Sequence, residues 1–258
     1  MCSGYKLDLL MGLGLSEACV LAILPRVKAT GFDPHEIVWA KGGEVAEWTY
    51  IASGLVEASV PIQDGGCIHV DIYGHRTWFG EEALLNRYPS PFEYVSLTTV
   101  RTVTIPAADV LAAFQSEPDF ARYIALLTAW RSRRSSDMAV LMKQGSPILR
   151  VVMGLALFAE ALQYHSSRPP TEGEGASVKI PVKQSIVASV CGVSRSVFSE
   201  VVRQLVLAGL VRLDYGTLEL CSVRTWLRFS LKHRQARMNV KKHSAKDLIL
   251  LLKEAAES

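Results

Sequence analysis

No run of about 18 apolar residues interrupts this chain of 258, the closest approach being Val151 to Leu162, so no helix is expected to span a membrane. The N-terminus lacks a basic segment, an apolar core and a small-residue cleavage site in succession, so export is not expected either. Five cysteines, Cys2, Cys19, Cys67, Cys191 and Cys221, are odd in number and widely scattered. They offer neither a disulfide framework nor a zinc-finger spacing, and a reducing cytoplasm is the setting this predicts. Internal repeats and low-complexity tracts are absent. Charge of one sign is scarce too: 28 Lys and Arg oppose 25 Asp and Glu, and the net +3 does not by itself imply nucleic acid.

What the chain has is a sizeable apolar fraction, 49%, beside 21% charged residues, and enough length for two domains with a connection. The basic excess is local. From Lys179 to Lys253 seven arginines and seven lysines stand beside four acids, so the C-terminal third is the positive part.

That third contains a helix-turn-helix pattern between Lys183 and Arg203. Two helices meeting at roughly 90 to 120° need a close approach and a tight reversal. Ala188 suits the first requirement, and Gly192 suits a left-handed corner that a Cβ would penalise. Ile186, Val187, Val193, Phe198, Val201 and Leu205 recur at helical spacing, and Ser194 is a good N-cap for the second helix. The outward face of that helix reads Arg195, Ser196, Ser199, Glu200 and Arg203, polar where a recognition helix meets base edges. Lys183 at the start of the first helix is placed for a phosphate contact. Val178 to Val182 reads as a strand beforehand. Leu210 to Leu213 and Thr217 to Leu220 flank an Asp-Tyr-Gly turn, which makes a hairpin and completes a winged helix-turn-helix.

Upstream, Ser16 is placed to cap a helix from Glu17 to Leu24 that Pro25 ends. From Phe32 to about Pro106 short β-prone runs alternate with Gly, Pro and Asp: Ile37 to Ala40, Thr49 to Ala52, Leu55 to Val60, Cys67 to Tyr73, Tyr94 to Thr98 and Thr102 to Ile105. A roll, barrel or sandwich is expected. A short helix from Pro106 to Phe114 precedes a long one from Pro118 to about Gln144. Along the latter, Phe120, Ile124, Leu127, Arg131, Arg134, Met138 and Leu141 form a heptad seam with arginine at two places. Gly145-Ser146-Pro147 breaks it. An apolar helix from Ile148 to Tyr164 follows, then a polar surface loop from His165 to Ala176. The tail from Arg224 is basic through Lys242 and ends in an amphipathic helix from Lys246 to Ala256.

Four segments, Glu36 to Gly43, Tyr50 to Val56, Phe79 to Leu84 and Ile105-Pro106, resemble the cyclic-nucleotide-binding β-roll. Joined to a winged helix, the chain is similar to the catabolite activator and FNR family of bacterial transcription regulators over roughly residues 30 to 225. The resemblance implies an α+β architecture. It comprises an N-terminal helix and effector-sensing roll over 1–117, a dimerisation helix over 118–144, a DNA-binding domain over 145–225 and a basic extension over 226–258. It implies a homodimer on double-stranded DNA with a pseudo-palindromic operator, contact with RNA polymerase, and a small-molecule effector of unidentified class. In that family a Phe-Gly-Glu segment opens the phosphate cassette, here Phe79, Gly80 and Glu81 followed by Glu82 and Ala83, and an Arg-Ser pair about ten residues on completes it.

The second half of the cassette departs from that pattern. Ser90-Pro91 or Pro91-Phe92 occupies the Arg-Ser position, with only Arg87 nearby, so the charge-assisted partner for a cyclic phosphate is missing. Cyclic AMP is therefore not expected through the usual contacts. Trp78, Phe79, Tyr88, Phe92 and Tyr94 suit either a modified aromatic pocket or a plain core. An iron-sulfur cluster is disfavoured, with only Cys2 and Cys19 near the N-terminus; for haem the axial candidates are His35, His69, His75 and Cys67. At the positions where the catabolite activator carries its three main base readers this chain has Arg195, Ser196 and Glu200. Arg195 suits guanine, and Glu200 suits either cytosine or a tether to a neighbouring arginine. The expectation is an effector-controlled, non-enzymatic regulator. The competing readings are a cupin-like metal enzyme, for which His69 and His75 lack a convincing partner set, and a regulator that binds DNA without ligand control.

Overall fold

The structure is a computed structural model and describes residues 3–63, 65–163, 177–235 and 244–257. The chain divides into two compact units, residues 1–133 and 134–258.

The first unit opens with α1 (Ser3–Met11) and α2 (Glu17–Ile23). Ser16 caps α2 by accepting from the Cys19 amide at 3.3 Å, and Pro25 sits in the short 3-10 turn that ends it. Eight strands follow: β1 (Lys28–Phe32), β2 (Ile37–Trp39), β3 (Glu47–Ser53), β4 (Val56–Pro61), β5 (Cys67–Tyr73), β6 (Thr77–Phe79), β7 (Glu93–Ser96) and β8 (Val100–Pro106). A short helix α3 (Glu81–Asn86) interrupts them between β6 and β7. They form two antiparallel four-stranded sheets, ordered β1-β8-β3-β6 and β2-β7-β4-β5. Pairing supplies what local propensity does not: β1, with the sequence Lys-Ala-Thr-Gly-Phe, is largely exposed and is held by five residue pairs to β8.

Two apolar clusters fill this unit. One gathers Trp48, Tyr50, Trp78, Val103 and Ile105 with Leu10, Val20 and Ile23 of the N-terminal helices. Trp48 and Trp78 stack there with centroids 4.0 Å apart, an arrangement worth about 0.5–1.5 kcal/mol beyond simple burial. The other joins Ile51, Val56, Ala58, Phe79, Tyr94 and Val100.

Helix α4 (Ala107–Ser116) leads into α5 (Pro118–Gln144), with Pro118 in the first turn as expected. The first half of the heptad stripe is not an inter-subunit seam. Phe120, Ile124 and Leu127 are 1–2% exposed and lie inside the Trp48 cluster of their own roll, with Phe120 edge-on to Trp48 at 5.9 Å. A repeat of four and three marks a buried helix face without saying which surface buries it, and here a large indole surface lies within the same unit.

The second unit holds α6 (Pro147–Gln163), β9 (Val178–Ile180), α7 (Gln184–Val190), α8 (Arg195–Leu207), β10 (Val211–Asp214), β11 (Thr217–Leu220), α9 (Val223–Gln235) and α10 (Ala245–Glu257). The three strands make one antiparallel sheet in the order β10-β11-β9. The expected loop at 165–176 lies outside the described residues, as do Arg237, Lys241 and Lys242 of the basic tail. The tail's helices join the core: α9 crosses position 225 and buries Trp226, Phe229 and Ser230, while α10 buries Leu248, Leu252 and Ala255. Trp226 Nε1 donates to the Cys221 carbonyl at 3.0 Å, so its one polar atom is satisfied. No single helix among the described residues is long and apolar enough to cross a membrane.

Candidate nucleic-acid interface and roll pocket

Helices α7 and α8 turn through 102° at a four-residue break. Gly192 takes φ +65 at the corner, and a Cβ there would stand 2.4 Å from the Met142 sulfur. Gly154 of α6 makes an equally close approach, its missing Cβ falling 2.5 Å from the sulfur of Cys191 in the turn. Burial pushes the Cys191 thiol up to about 12, which keeps it protonated and inert. Beneath the pair, Val187, Ala188, Phe198, Val201, Val202 and Leu205 are buried.

The face opposite is polar and open. Ser194, Arg195, Ser196, Ser199, Glu200 and Arg203 are all exposed, as is Lys183 immediately before α7. Ser194 caps α8, accepting from the Val197 amide at 3.4 Å, and its hydroxyl also meets that of Ser196 at 3.0 Å. Glu200 accepts from Arg203 through both carboxylate oxygens at 3.0 Å and from Gln204 at 3.1 Å. Hydrogen bonds from Arg203 and then Gln204 hold the Glu200 carboxyl below its ordinary range. Of the two roles open to Glu200, the tether to Arg203 is the one formed here. Beyond α8 the hairpin ends at Tyr215, fully exposed, followed by Gly216 at φ +72.

In the roll, Phe79, Gly80, Glu81 and Ala83 come together where β6 passes into α3. Gly80 has φ +94, and the ring of Trp39 lies so close that a Cβ would fall 2.1 Å from it. Glu81, 2% exposed, is already engaged: Arg131 of α5 donates to its Oε1 and to the Trp78 carbonyl, while Trp48 Nε1 donates to its Oε2 at 3.4 Å. The Arg131 guanidinium also sits 5.2 Å above the Tyr73 ring. Phe79 and Tyr94 stack at 4.5 Å, with Trp39 edge-on to both. Phe79 and Tyr94 are thus core, while Trp39, Tyr73 and Phe92 pack around them half-buried.

Residues 30–117 match the family described as the cyclic nucleotide-binding domain. The match spans the roll. Among solved structures, FixK2 from Bradyrhizobium japonicum is 15% identical over 84% of this chain and 98% of its own, with a TM-score of 0.62. TTHB099, a transcriptional regulator of the CRP family from Thermus thermophilus, is 19% identical over 82% and 98%, with a TM-score of 0.55. CLP of Xanthomonas campestris, described as a c-di-GMP responsive global regulator, is 18% identical over 80% and 99%, with a TM-score of 0.54. At such low identities the TM-scores show a shared fold with these three proteins and nothing further. No curated protein sequence matches it.

Ser90 is buried and turned to the backbone: its hydroxyl donates to the Phe92 carbonyl at 2.7 Å and its amide to the Gly43 carbonyl at 2.9 Å. Arg87 is exposed at the end of α3 with φ +55. Glu82, also exposed, accepts from the Tyr88 hydroxyl at 2.8 Å; burial and then this hydrogen bond raise that phenol to about 12. An open cleft of about 250 Å³ lies beside Trp39, but its charged walls are Glu44 and Glu47, the wrong sign for a phosphate. The haem candidates His35 and His75 are exposed on turns between strands.

Cys67, His69 and Glu57 form a group that sequence reading did not assemble. The signal available was Cys-x-His within one strand, where alternate residues share a face.

Proposed function

We propose that this protein is a sequence-specific, double-stranded-DNA-binding transcription regulator that acts as a homodimer under the control of its roll. The observation that carries this reading is α8. It is a capped helix set at 102° to its partner, buried along one side and presenting Arg195, Ser196, Ser199, Glu200 and Arg203 along the other. Such a helix fits the major groove with its N-terminal residues at base edges, and Arg195 suits a guanine. Lys183 supplies a phosphate contact and the Tyr215 hairpin tip lies alongside as a wing. The architecture shared with FixK2 and TTHB099 favours the same direction.

Because Phe120, Ile124 and Leu127 are spent on the roll, a second copy docks on the opposite side of α5. Leu126 and Val140, 58% and 55% exposed, stand two heptads apart there with Ala129 between them. Effector control acts through Arg131. It lies on the same helix and holds Glu81, so a ligand or modification that competes for Glu81 breaks the polar tie between α5 and the cassette turn. Cyclic AMP bound through a cassette arginine is not part of this reading, and neither is enzymatic chemistry.

Selection of the full-length protein against a random duplex library tests the central claim. A twofold-related consensus, protected in a footprint and weakened when either half-site is scrambled, is the expected result. Binding that ignores sequence at every salt concentration would overturn it. Sedimentation of Leu126→Arg, expected to shift the protein toward monomer, tests the dimer separately.

A further inference from the structure

The face of the second sheet turned away from the Val56 and Ala58 cluster carries a side-chain group that the proposed DNA reading does not use. In the β4–β5 ladder Glu57 pairs with Ile72 and Ala58 with Asp71, after which Ser59 pairs with His69 and Pro61 with Cys67. Between Ala58 and Ser59, β4 advances one residue while β5 advances two. That extra residue in β5 is a bulge, and its effect is directional. Unbroken alternation would place Val70 and Ile68 on the Glu57 side and turn His69 and Cys67 to the other. With the bulge, His69 and Cys67 come round to Glu57.

The three side chains converge there. His69 Nδ1 is paired with Glu57 Oε1, and the Cys67 sulfur lies 3.5 Å from His69 Nε2 and 3.8 Å from Nδ1. One ligand atom from each lies within 4.8 Å of the other two. Glu57 is 5% exposed, a carboxylate buried on the side of the sheet that faces away from the Val56 and Ala58 cluster, whereas Cys67 is exposed.

We propose that Glu57, Cys67 and His69 form a binding site for a divalent cation of the zinc class, with a fourth position open to solvent. Sulfur, imidazole and carboxylate together are a borderline donor set, suited to zinc and poorly suited to magnesium or calcium. Bonds of about 2.0–2.3 Å arranged tetrahedrally set ligand atoms roughly 3.3–3.8 Å apart, so the sulfur–imidazole spacing already fits. The carboxylate, closed on the imidazole without the ion, swings away to make room. Binding releases the thiol proton and any proton shared between Glu57 and His69. Because β5 is the edge strand of its sheet, paired only to β4, the cation clips that edge to its neighbour through Glu57.

The test uses the full-length protein, stripped with a chelator, dialysed and titrated with Co²⁺. One ion per chain is expected, with tetrahedral ligand-field bands and a sulfur-to-cobalt charge-transfer band, all displaced by Zn²⁺. Cys67→Ser should abolish the charge-transfer band, and Glu57→Gln and His69→Gln should each weaken uptake by at least about 10-fold. Cys221→Ser, outside the group, should leave the spectrum unchanged. In the wild-type protein, Zn²⁺ should also protect Cys67 from alkylation, a readout that needs no variant to fold. Absence of Co²⁺ uptake by the wild type, a charge-transfer band that survives Cys67→Ser, or unprotected labelling of Cys67 would each overturn the proposal.

Discussion

Two glutamate–arginine pairs occupy opposite circumstances in this protein. Glu200 and Arg203 sit on the open face of α8 with side chains 52% and 70% exposed, whereas Glu81 and Arg131 meet inside the roll at 3% and 16%. The chemistry is the same and the surroundings decide what it does. An exposed pair is screened by solvent and adds little to stability, so other partners can replace its contacts at little cost. The interior pair has given up water on both sides, and losing either partner strands a charge at about 3–5 kcal/mol. The proposed reading face is therefore poised to exchange partners. The cassette face is closed on itself: Glu81 is bound by Arg131 and Trp48, and Gly80 is covered by Trp39.

The largest test of that contrast is Arg131→Ala, which should lower unfolding free energy by about 3–5 kcal/mol in denaturant titrations. Pairing Glu81→Leu with Arg131→Met should restore most of it, since no charge is then left alone; a mild single-variant effect would erase the distinction between the two pairs. Next in size, Arg195→Ala should remove about 1–3 kcal/mol of discrimination between the selected site and a scrambled duplex. Its nonspecific binding at low salt should change little, as anisotropy titrations with both duplexes would show. Ser194→Ala removes the α8 cap and should cost about 1 kcal/mol of stability, measured by thermal unfolding. Arg203→Ala should leave Tm close to that of wild type in the same assay, because its partner is solvated. Smallest of all, millimolar cyclic AMP should leave Tm unmoved; saturation at about 100 times Kd would add about 2.7 kcal/mol and would show that the cassette opens.

Much of the helix-turn-helix unit was legible because its signals are local. Gly192 at a left-handed corner, Ser194 as cap and the spacing of Val187, Phe198, Val201 and Leu205 each state a backbone requirement within a few residues. The expected strands from Ile37 to Ile105 likewise fall on observed ones, within a few residues at their ends. Two strands escaped. Lys28–Phe32 has little β propensity and exists because β8 pairs with it, and Thr77–Phe79 is too short to show alternation. Helix α9 was masked by its charge: Arg224 and Lys232 face solvent while Trp226, Phe229 and Ser230 recur beneath them at helical spacing. In the roll, the missing Arg-Ser pair could be read directly, but the partner that takes Glu81 could not. Arg131 lies 50 residues away, in a stripe whose periodicity is equally compatible with a coiled coil.

From the order of its residues alone this chain already determined most of its strands and helices, its helix-turn-helix corner, the polar outer side of α8 and the absence of an arginine at the cassette position. These depend on steric and hydrogen-bonding demands that act between near neighbours. The folded arrangement alone decided that Phe120, Ile124 and Leu127 serve the roll, that Arg131 holds Glu81, and that a one-residue bulge turns His69 and Cys67 toward Glu57. Each of those outcomes depends on which distant surface arrives opposite a given face, and periodicity describes a face without naming what will cover it.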